Sequence, residues 1–521
     1  MKRTILLCIF LLSTFIIGAQ VPHPIVWLRA DSAVLNAPSW HDVSGNGLDA
    51  TPSSGSMPAA FSRMNFNKCF EVGGTETFTL PLGINGSRQS DVVVVYETYD
   101  TADENALWQI RLDTARRIGQ TTRRILNDNG QITYDTANRL KPVVNYLAQS
   151  WRSPEVCAPT LTLCTADSLP LNGRIAEALY FDHRISDTAV IQWISYLAVK
   201  YGVTLAQTDY LDSRRNVIWD YTHYPGYCAS IAGIGRDDST GLYQKQTYYA
   251  DGHIIIGIAE PPYYGGSTLT GNNEDNPAFI ADGDFILFGC RDAMHCVSTV
   301  YAQDGSIYEA IGRSMAQVTG DAHTYGTFVL LDTAAVETCR GASLQYAPVL
   351  LIDRSGTGEF PAGETEQVQS IGTDTLGHYV YGNVHWDIDR SGRDFFCFAV
   401  AMPDTTGTPK ALAVNGSGNS ASENNADGKG VRSNGQLSQP EAACYRLHPN
   451  PNHGRFVVEA EYPGVQDVTV TVYDADGKLL LTMTGKGQRG YHFEGRVRTA
   501  GQYLIDIASP SERKTLKMVV N

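Results

Sequence analysis

Arg236, Asp237 and Asp238 stand side by side in Gly233-Ile-Gly-Arg-Asp-Asp238. Paired carboxylates beside a guanidinium are one way to shift pKa values apart for acid–base work. The same trio also builds hydrogen-bonded loops, in which arginine bridges a carboxylate and backbone carbonyls. No matching acidic pair recurs along the chain as glycoside hydrolysis would need, so the loop reading is preferred. Asp353-Arg-Ser-Gly-Thr-Gly-Glu359 puts oxygen-bearing side chains at alternate positions, which makes Asp353 and Glu359 candidate calcium ligands. The segment lacks the further acidic ligands and the twelfth-position Glu of an EF-hand, so a strand-connecting turn is the simpler expectation. His253, His295, His323 and His385 are scattered, and no HExxH, GxSxG or phosphate-binding loop occurs. The Gly233 motif lacks the third glycine of a dinucleotide fingerprint. Tyr221, Tyr224, Tyr227, Tyr248, Tyr249, Tyr263 and Tyr264 offer ring faces on which sugars could stack, although strand tyrosines usually serve packing. The chain therefore reads as non-enzymatic, with no cofactor expected beyond a calcium ion.

These residues sit in a chain of 521 with 49 Gly, 27 Tyr and only 18% charged residues. That composition suits a mostly β, loop-rich protein of several domains rather than helical bundles. The net charge of −15, with no basic stripe, argues against nucleic acid as a partner. At the start, Lys2 and Arg3 precede an apolar run from Ile5 to Ile17, then Gly18 and Ala19. This is the pattern of a signal peptide over residues 1–19, cut between Ala19 and Gln20. The run is shorter than the ~20 residues a spanning helix needs, and no later segment replaces it, so no transmembrane span is expected after cleavage.

The other end changes character twice. Residues 403–441, with Gly416-Ser-Gly-Asn-Ser-Ala-Ser at their centre, are too polar to bury a core and read as a flexible linker. Beyond it, Arg455–Glu459, the strictly alternating Val468-Thr-Val-Thr-Val-Tyr473, Lys478–Met483, Gly501–Ile507 and Thr515–Val520 read as strands of a small immunoglobulin-like sandwich. Pro449-Asn-Pro-Asn-x-Gly454, Val472-Tyr-Asp-x-x-Gly-Lys478 and Gly501-Gln-Tyr503 recur in order here. Residues 442–521 thereby resemble the type A sorting domain of type IX secretion. The resemblance implies handling by the type IX machinery, passage across a Gram-negative outer membrane, removal of the domain, and a secreted or surface-attached product.

Between these ends, Asp91–Tyr96 and Ala176–Phe181 read as buried strands. A helix follows, capped by Ser186 or Asp187 and stopped by Gly202, with Val190, Ile194, Leu197 and Tyr201 on one face. Trp27-Leu-Arg-Ala-Asp31, Asp42-x-Ser-Gly-Asn-Gly47, Ile175-Ala-Glu-x-x-Tyr180 and Tyr196-Leu-Ala-x-Lys-Tyr-Gly202 make residues 20–205 similar to LamG-like, concanavalin-type jelly rolls. That likeness implies rim loops that bind glycan or protein, sometimes beside calcium, with Asp31, Asp42, Asn46 and Asp49 as oxygen ligands. A structural turn is the simpler use of Asp42–Gly47. Residues 206–402 read as a second β-rich domain, resembling an uncharacterised module of type IX cargo that carries Gly-Ile-Gly-Arg-Asp-Asp. The Glu-x-Asp-x-x-Glu strand of concanavalin-type hydrolases is absent.

The resulting expectation is an adhesion or binding protein with a glycan or host-protein ligand. The competing readings are a hydrolase with an unrecognised site and a structural surface-layer component. Ten cysteines in an exported chain suggest disulfides, and the short spacings of Cys157 and Cys164, and of Cys290 and Cys296, permit small closed loops. Spacing does not pair Cys69, Cys228, Cys339, Cys397 or Cys444. Non-reducing digests are expected to return both short loops as linked peptides, each bridge contributing about 2–3 kcal/mol. Alkylation of all four thiols without prior reduction would contradict the pairing.

Overall fold

The computed structural model describes residues 21–401 and 444–520, apart from 84–87, 100–102, 114–115, 129, 134–140, 152–158, 259–268, 270, 292–295, 304–305, 334–335, 337–347, 362, 375, 449–454, 475–477, 498, 500 and 511–512. Antiparallel sheet dominates, as the composition predicts. Two sheets form the N-terminal sandwich. One has six strands, in the order 143–150, 89–98, 172–181, 67–73 and 62–64, with Val26–Arg29 also paired to Asn172–Phe181. Its partner has seven, running 130–133, 124–127, 117–121, 106–111, 160–163, 78–81 and 51–52. Trp40, Phe70, Phe78, Trp108 and Tyr180 are among the side chains packed between them.

The six-stranded sheet is also apolar on its other face. In Asn172–Phe181 a bulge lies between Ile175 and Glu177. Beyond it Ala178 and Tyr180 point into the sandwich, while Leu179 and Phe181 join a second core outside it. Val92 and Val94 against Val93 and Val95 divide in the same way. This is why both strands are unbroken apolar runs rather than alternating ones.

Helix α1 (Asp187–Tyr201) lies in that outer core. Ser186 caps it by accepting the Ala189 N–H at 3.2 Å, and Gly202 ends it in the left-handed region at φ 65°. Trp193, Tyr196, Leu197 and Tyr201 are buried, while Val190 and Ile194 are only partly so. The apolar spacing therefore located the helix but misplaced the centre of its buried face, because α1 is covered from two sides.

The second cover is another sandwich. Its eight-stranded sheet runs 242–244, 230–237, 285–290, 306–319, 393–401, 349–353 and 365–368, with Cys296–Gln303 paired to Ser306–Thr319. Ile231, Leu287, Met315, Leu351 and Phe395 face α1. Ile234, Phe288, Leu350 and Phe396 face a five-stranded sheet in the order 246–249, 254–258, 327–332, 378–384 and 372–373. The body is thus layered sheet, sheet, helix, sheet, sheet. The C-terminal strands 444–448, 455–473, 479–496, 501–508 and 513–520 pair into a separate unit with its own core around Val470, Phe493, Ile505 and Met518.

Close strand contacts fix where side chains are excluded. A Cβ on Gly173 would lie 2.0 Å from the Glu97 carbonyl oxygen. Gly173→Ala is expected to destabilise the protein by about 1–3 kcal/mol, since neither neighbouring strand can yield freely. The check is a lower denaturant midpoint at unchanged slope.

Candidate functional site

A carboxylate stands in the middle of the Ala176–Phe181 run. Glu177 is fully buried and faces α1. Its Oε1 accepts from Trp27 Nε1 at 2.6 Å and the Tyr196 hydroxyl at 2.8 Å; Oε2 accepts from the Tyr201 hydroxyl at 2.9 Å and Lys200 Nζ at 2.8 Å. Lys200 Nζ also lies 2.8 Å from Asp31 Oδ2 and donates to the Tyr196 hydroxyl at 3.0 Å. Asp31 in turn receives a two-pronged contact from Arg29, at 3.1 and 3.0 Å. Two cations and two anions thus alternate from the sheet across the end of α1. Burial works against the charge of Asp31, yet Lys200 and Arg29 hold its carboxyl well below the usual carboxylate range. Burial likewise works against the charge on Arg29, but the Asp31 and Glu177 carboxylates keep it more firmly protonated than an ordinary arginine. Burial pushes the Tyr196 and Tyr201 hydroxyls up, so both stay donors.

Side-chain amides continue the seam. Asn65 Nδ2 and Asn67 Nδ2 donate to the Lys200 carbonyl at 3.0 and 2.6 Å, taking up an oxygen that the helix end leaves without a partner. Asn67 Nδ2 also reaches Gln244 Oε1 at 3.0 Å, and Asn65 Oδ1 accepts the Tyr248 N–H at 2.8 Å. Residues from both sandwiches are thereby tied to the last turn of α1. Between them opens a cavity of about 430 Å³, walled by Arg29, Asp31 and Lys200 on one side and by Tyr243, Lys245 and Asn273 on the other. Lys68 and Glu274 pair at its edge at 2.6 Å. Phe66 also lines it and stacks on Tyr248, ring centres 4.2 Å apart and 9° from parallel.

Of the candidate ligands read from the sequence, Asp31 alone lines this cavity, beside Arg29 and Lys200 of the jelly-roll motifs. Asp42 is a loop hub: Oδ1 accepts the N–H groups of Trp27 and Ser44, both at 2.9 Å, and Oδ2 accepts the Ser44 hydroxyl at 2.8 Å and the Leu48 N–H at 3.0 Å. Asp49 accepts the Asp42 N–H at 2.9 Å, and Asn46 donates to the Ile25 carbonyl at 3.0 Å. Asp353 is fully buried and plays the same role, with Oδ2 accepting from Gly358 at 2.8 Å, Thr357 at 3.1 Å and Phe360 at 3.2 Å. Glu359 of that loop is exposed. Both carboxylates are spent on loop donors, and among the described residues no three His, Cys, Asp or Glu side chains gather to hold a metal.

The Arg236–Asp238 trio is likewise engaged in loop contacts. Arg236 grips Asp238 at 2.7 and 3.1 Å, while buried Asp237 accepts the Ser213 N–H at 2.8 Å and its hydroxyl at 2.7 Å. That contact anchors the chain leaving α1 to the second sandwich. Tyr249 is buried and donates to Ser314 at 2.8 Å, and Tyr221, Tyr224 and Tyr227 pack against the helix core. Ala19, Gln20, Cys157, Tyr263, Tyr264 and His295 lie outside the described residues, as does the side chain of Cys296. Cys164 and Cys290 are both buried. Glu177 and Lys200 fell inside the jelly-roll motifs but were assigned no role there, and the seam amides carried no motif. Their one signal was a charged residue within an apolar run, which a soluble fold tolerates only with partners.

Comparison with known proteins bears on the ends more than on the cavity. Residues 446–521 match the secretion system C-terminal sorting domain family. Residues 191–387 match a domain of unknown function, DUF8202, whose span begins within α1. The chain carries the sorting domain of type IX cargo and is a secreted or cell-surface protein of a Gram-negative bacterium. No helix among the described residues is long and apolar enough to cross a membrane. The serine-aspartate repeat-containing protein E of Staphylococcus aureus (strain MSSA476) is 27% identical over 161 residues, 29% of this chain and 13% of that one. The chain thus spans about an eighth of the length of the curated relatives it matches. Domain 4 of the extracellular arabinanase AbnA from Geobacillus stearothermophilus, in complex with arabinotriose, is 14% identical at a TM-score of 0.25, covering 32% of this chain and 96% of that one. Dimeric latent PorU from Porphyromonas gingivalis is 10% identical at 0.13, covering 95% of this chain and 34% of that one. Likenesses this loose carry no weight for fold or function.

Two outcomes follow from the ionic cluster. Glu177→Gln leaves a buried cation short of a partner and is expected to cost about 3–5 kcal/mol. Adding Lys200→Met should restore much of that loss, which thermal melts of the single and double variants would show. Asp31 has a depressed folded pKa, so its contribution is complete above the unfolded value of about 3.9 and is lost as pH falls below it. Asp31→Asn should therefore flatten the acid limb of the stability curve below about pH 4 while leaving its shape between pH 5 and 8 unchanged.

Proposed function

We propose that the protein is a non-enzymatic binding or adhesion protein, exported by type IX secretion, and that the cavity between the two sandwiches seats its ligand, a glycan. One observation carries the reading. The carboxylates of the cavity wall are each held by cations, while the surrounding amides are locked by their own hydrogen bonds. A wall of this kind presents fixed donors and acceptors, which suits recognition rather than acid–base chemistry. Amides beside the Phe66 and Tyr243 rings match the hydroxyls and apolar faces of a sugar. The concanavalin-type resemblance read from the sequence of the first sandwich agrees with this role.

Two experiments test it. Deleting residues 445–521 should strand the chain in the periplasm, and undiminished surface display of the truncated protein would reject export through the sorting domain. The purified exported chain should bind on a glycan array without releasing product from polysaccharide, peptide or ester panels. If turnover is found and is lost in a well-folded Asp237→Asn, Asp238→Asn variant, the binding reading falls and that pair is catalytic.

A further inference from the structure

The charges around the cavity do not pair off completely. Arg29 and Lys200 are matched by Asp31 and Glu177, and Lys68 by Glu274. Lys245 has no carboxylate within ion-pair distance among the described residues. Its ammonium donates to the Asn276 carbonyl and lies over the Tyr243 ring, 4.7 Å from the ring centre. It is 7% exposed, and the Asp275 carboxylate acts on it electrostatically without forming an ion pair. A carbonyl and a ring face leave part of its three-donor capacity unused. Burial pulls its pKa down, the expected response of an ammonium short of counter-charge.

The backbone beside it is fixed. The Lys245 N–H donates to Asn273 Oδ1 at 2.7 Å, and Asn273 Nδ2 returns to the Tyr243 carbonyl at 2.7 Å. Lys245 therefore stands in a preorganised wall, which lowers the ordering cost of binding. At the edge, Lys68 is held by a carboxylate that is itself 46% exposed, so an incoming anion can compete for it.

We infer that the cavity selects an acidic sugar, with the ligand carboxylate on Lys245 and the Lys68–Glu274 pair acting as a competing counter-ion at the edge. This rests on the reading of the cavity as a ligand seat. The volume of about 430 Å³ accommodates about one or two sugar rings. In a protein of net charge −15, a buried cation without a carboxylate partner is a local exception that favours an anion over its neutral counterpart.

Calorimetric titration of the full exported chain with a glucuronate-terminated disaccharide and its neutral glucose counterpart tests this. The acidic sugar should bind at least about tenfold tighter at low salt, since a charge-assisted bond replaces a neutral one. Lys245→Gln should abolish that preference. Glu274→Gln should strengthen binding of the acidic sugar, a gain that a merely destabilised variant would not produce. Ser32→Trp, placed to fill the cavity, should abolish binding of both sugars, with melting temperatures confirming that each variant is folded. Equal binding of the two sugars, insensitive to Lys245→Gln but blocked by Ser32→Trp, would overturn the acidic selectivity and leave the ligand seat standing. Failure of both sugars to bind would overturn the inference. If array binding then persists in Ser32→Trp, the cavity is not the seat either.

Discussion

Lys200 Nζ lies 2.8 Å from Glu177 on the sheet and 2.8 Å from Asp31 at the end of the first strand. Those two contacts decide how α1 sits on the N-terminal sandwich. A buried ammonium so placed is tolerable only if both carboxylates and the tyrosine hydroxyls stay where they are. The helix therefore has one azimuth and one depth. Its far side then presents a defined surface to the eight-stranded sheet, and its last carbonyls point at Asn65 and Asn67. The cavity opens at this polar end of the seam.

Apolar burial supplies most of the attraction across the seam but little direction, since it scales with area. Directional bonds sit where direction matters. Asp237 ties down the chain leaving α1, and Asn65 and Gln244 join the last helical turn to the strands of the second sandwich. Asp42 and Asp353 do the same locally, each gathering several loop donors onto one carboxylate. Asp42 and Asp353 thereby substitute for backbone acceptors in tight turns.

Much of the architecture was legible because it follows periodicities. Runs such as Val92–Tyr96 announced buried strands, and Ser186 with Gly202 bounded the helix. The buried face of α1 was not legible, since a helix covered from two sides loses the stripe from which a face is inferred. The cavity was less legible still. Lys245, Asn273 and Asn67 are far apart in sequence and ordinary in type, and only the pairing of strands in different sandwiches brings them together. Glu177 was the exception, because a carboxylate inside Ala176–Phe181 contradicts its surroundings and so asks for a partner. The partner itself lay on a different element.

The helix between the sheets also bears on modularity. Each of the two facing sheets keeps an apolar outer surface that only α1 and the opposing sandwich cover. Separated at the chain leaving α1, either half would expose that surface to water and present it to other copies of itself. The body is therefore indivisible as an inherited part, although its sequence alternates like a string of beads. Recombination that moved one sandwich without the other would transmit a sticky fragment. The C-terminal unit, closed around a core of its own, carries no such debt.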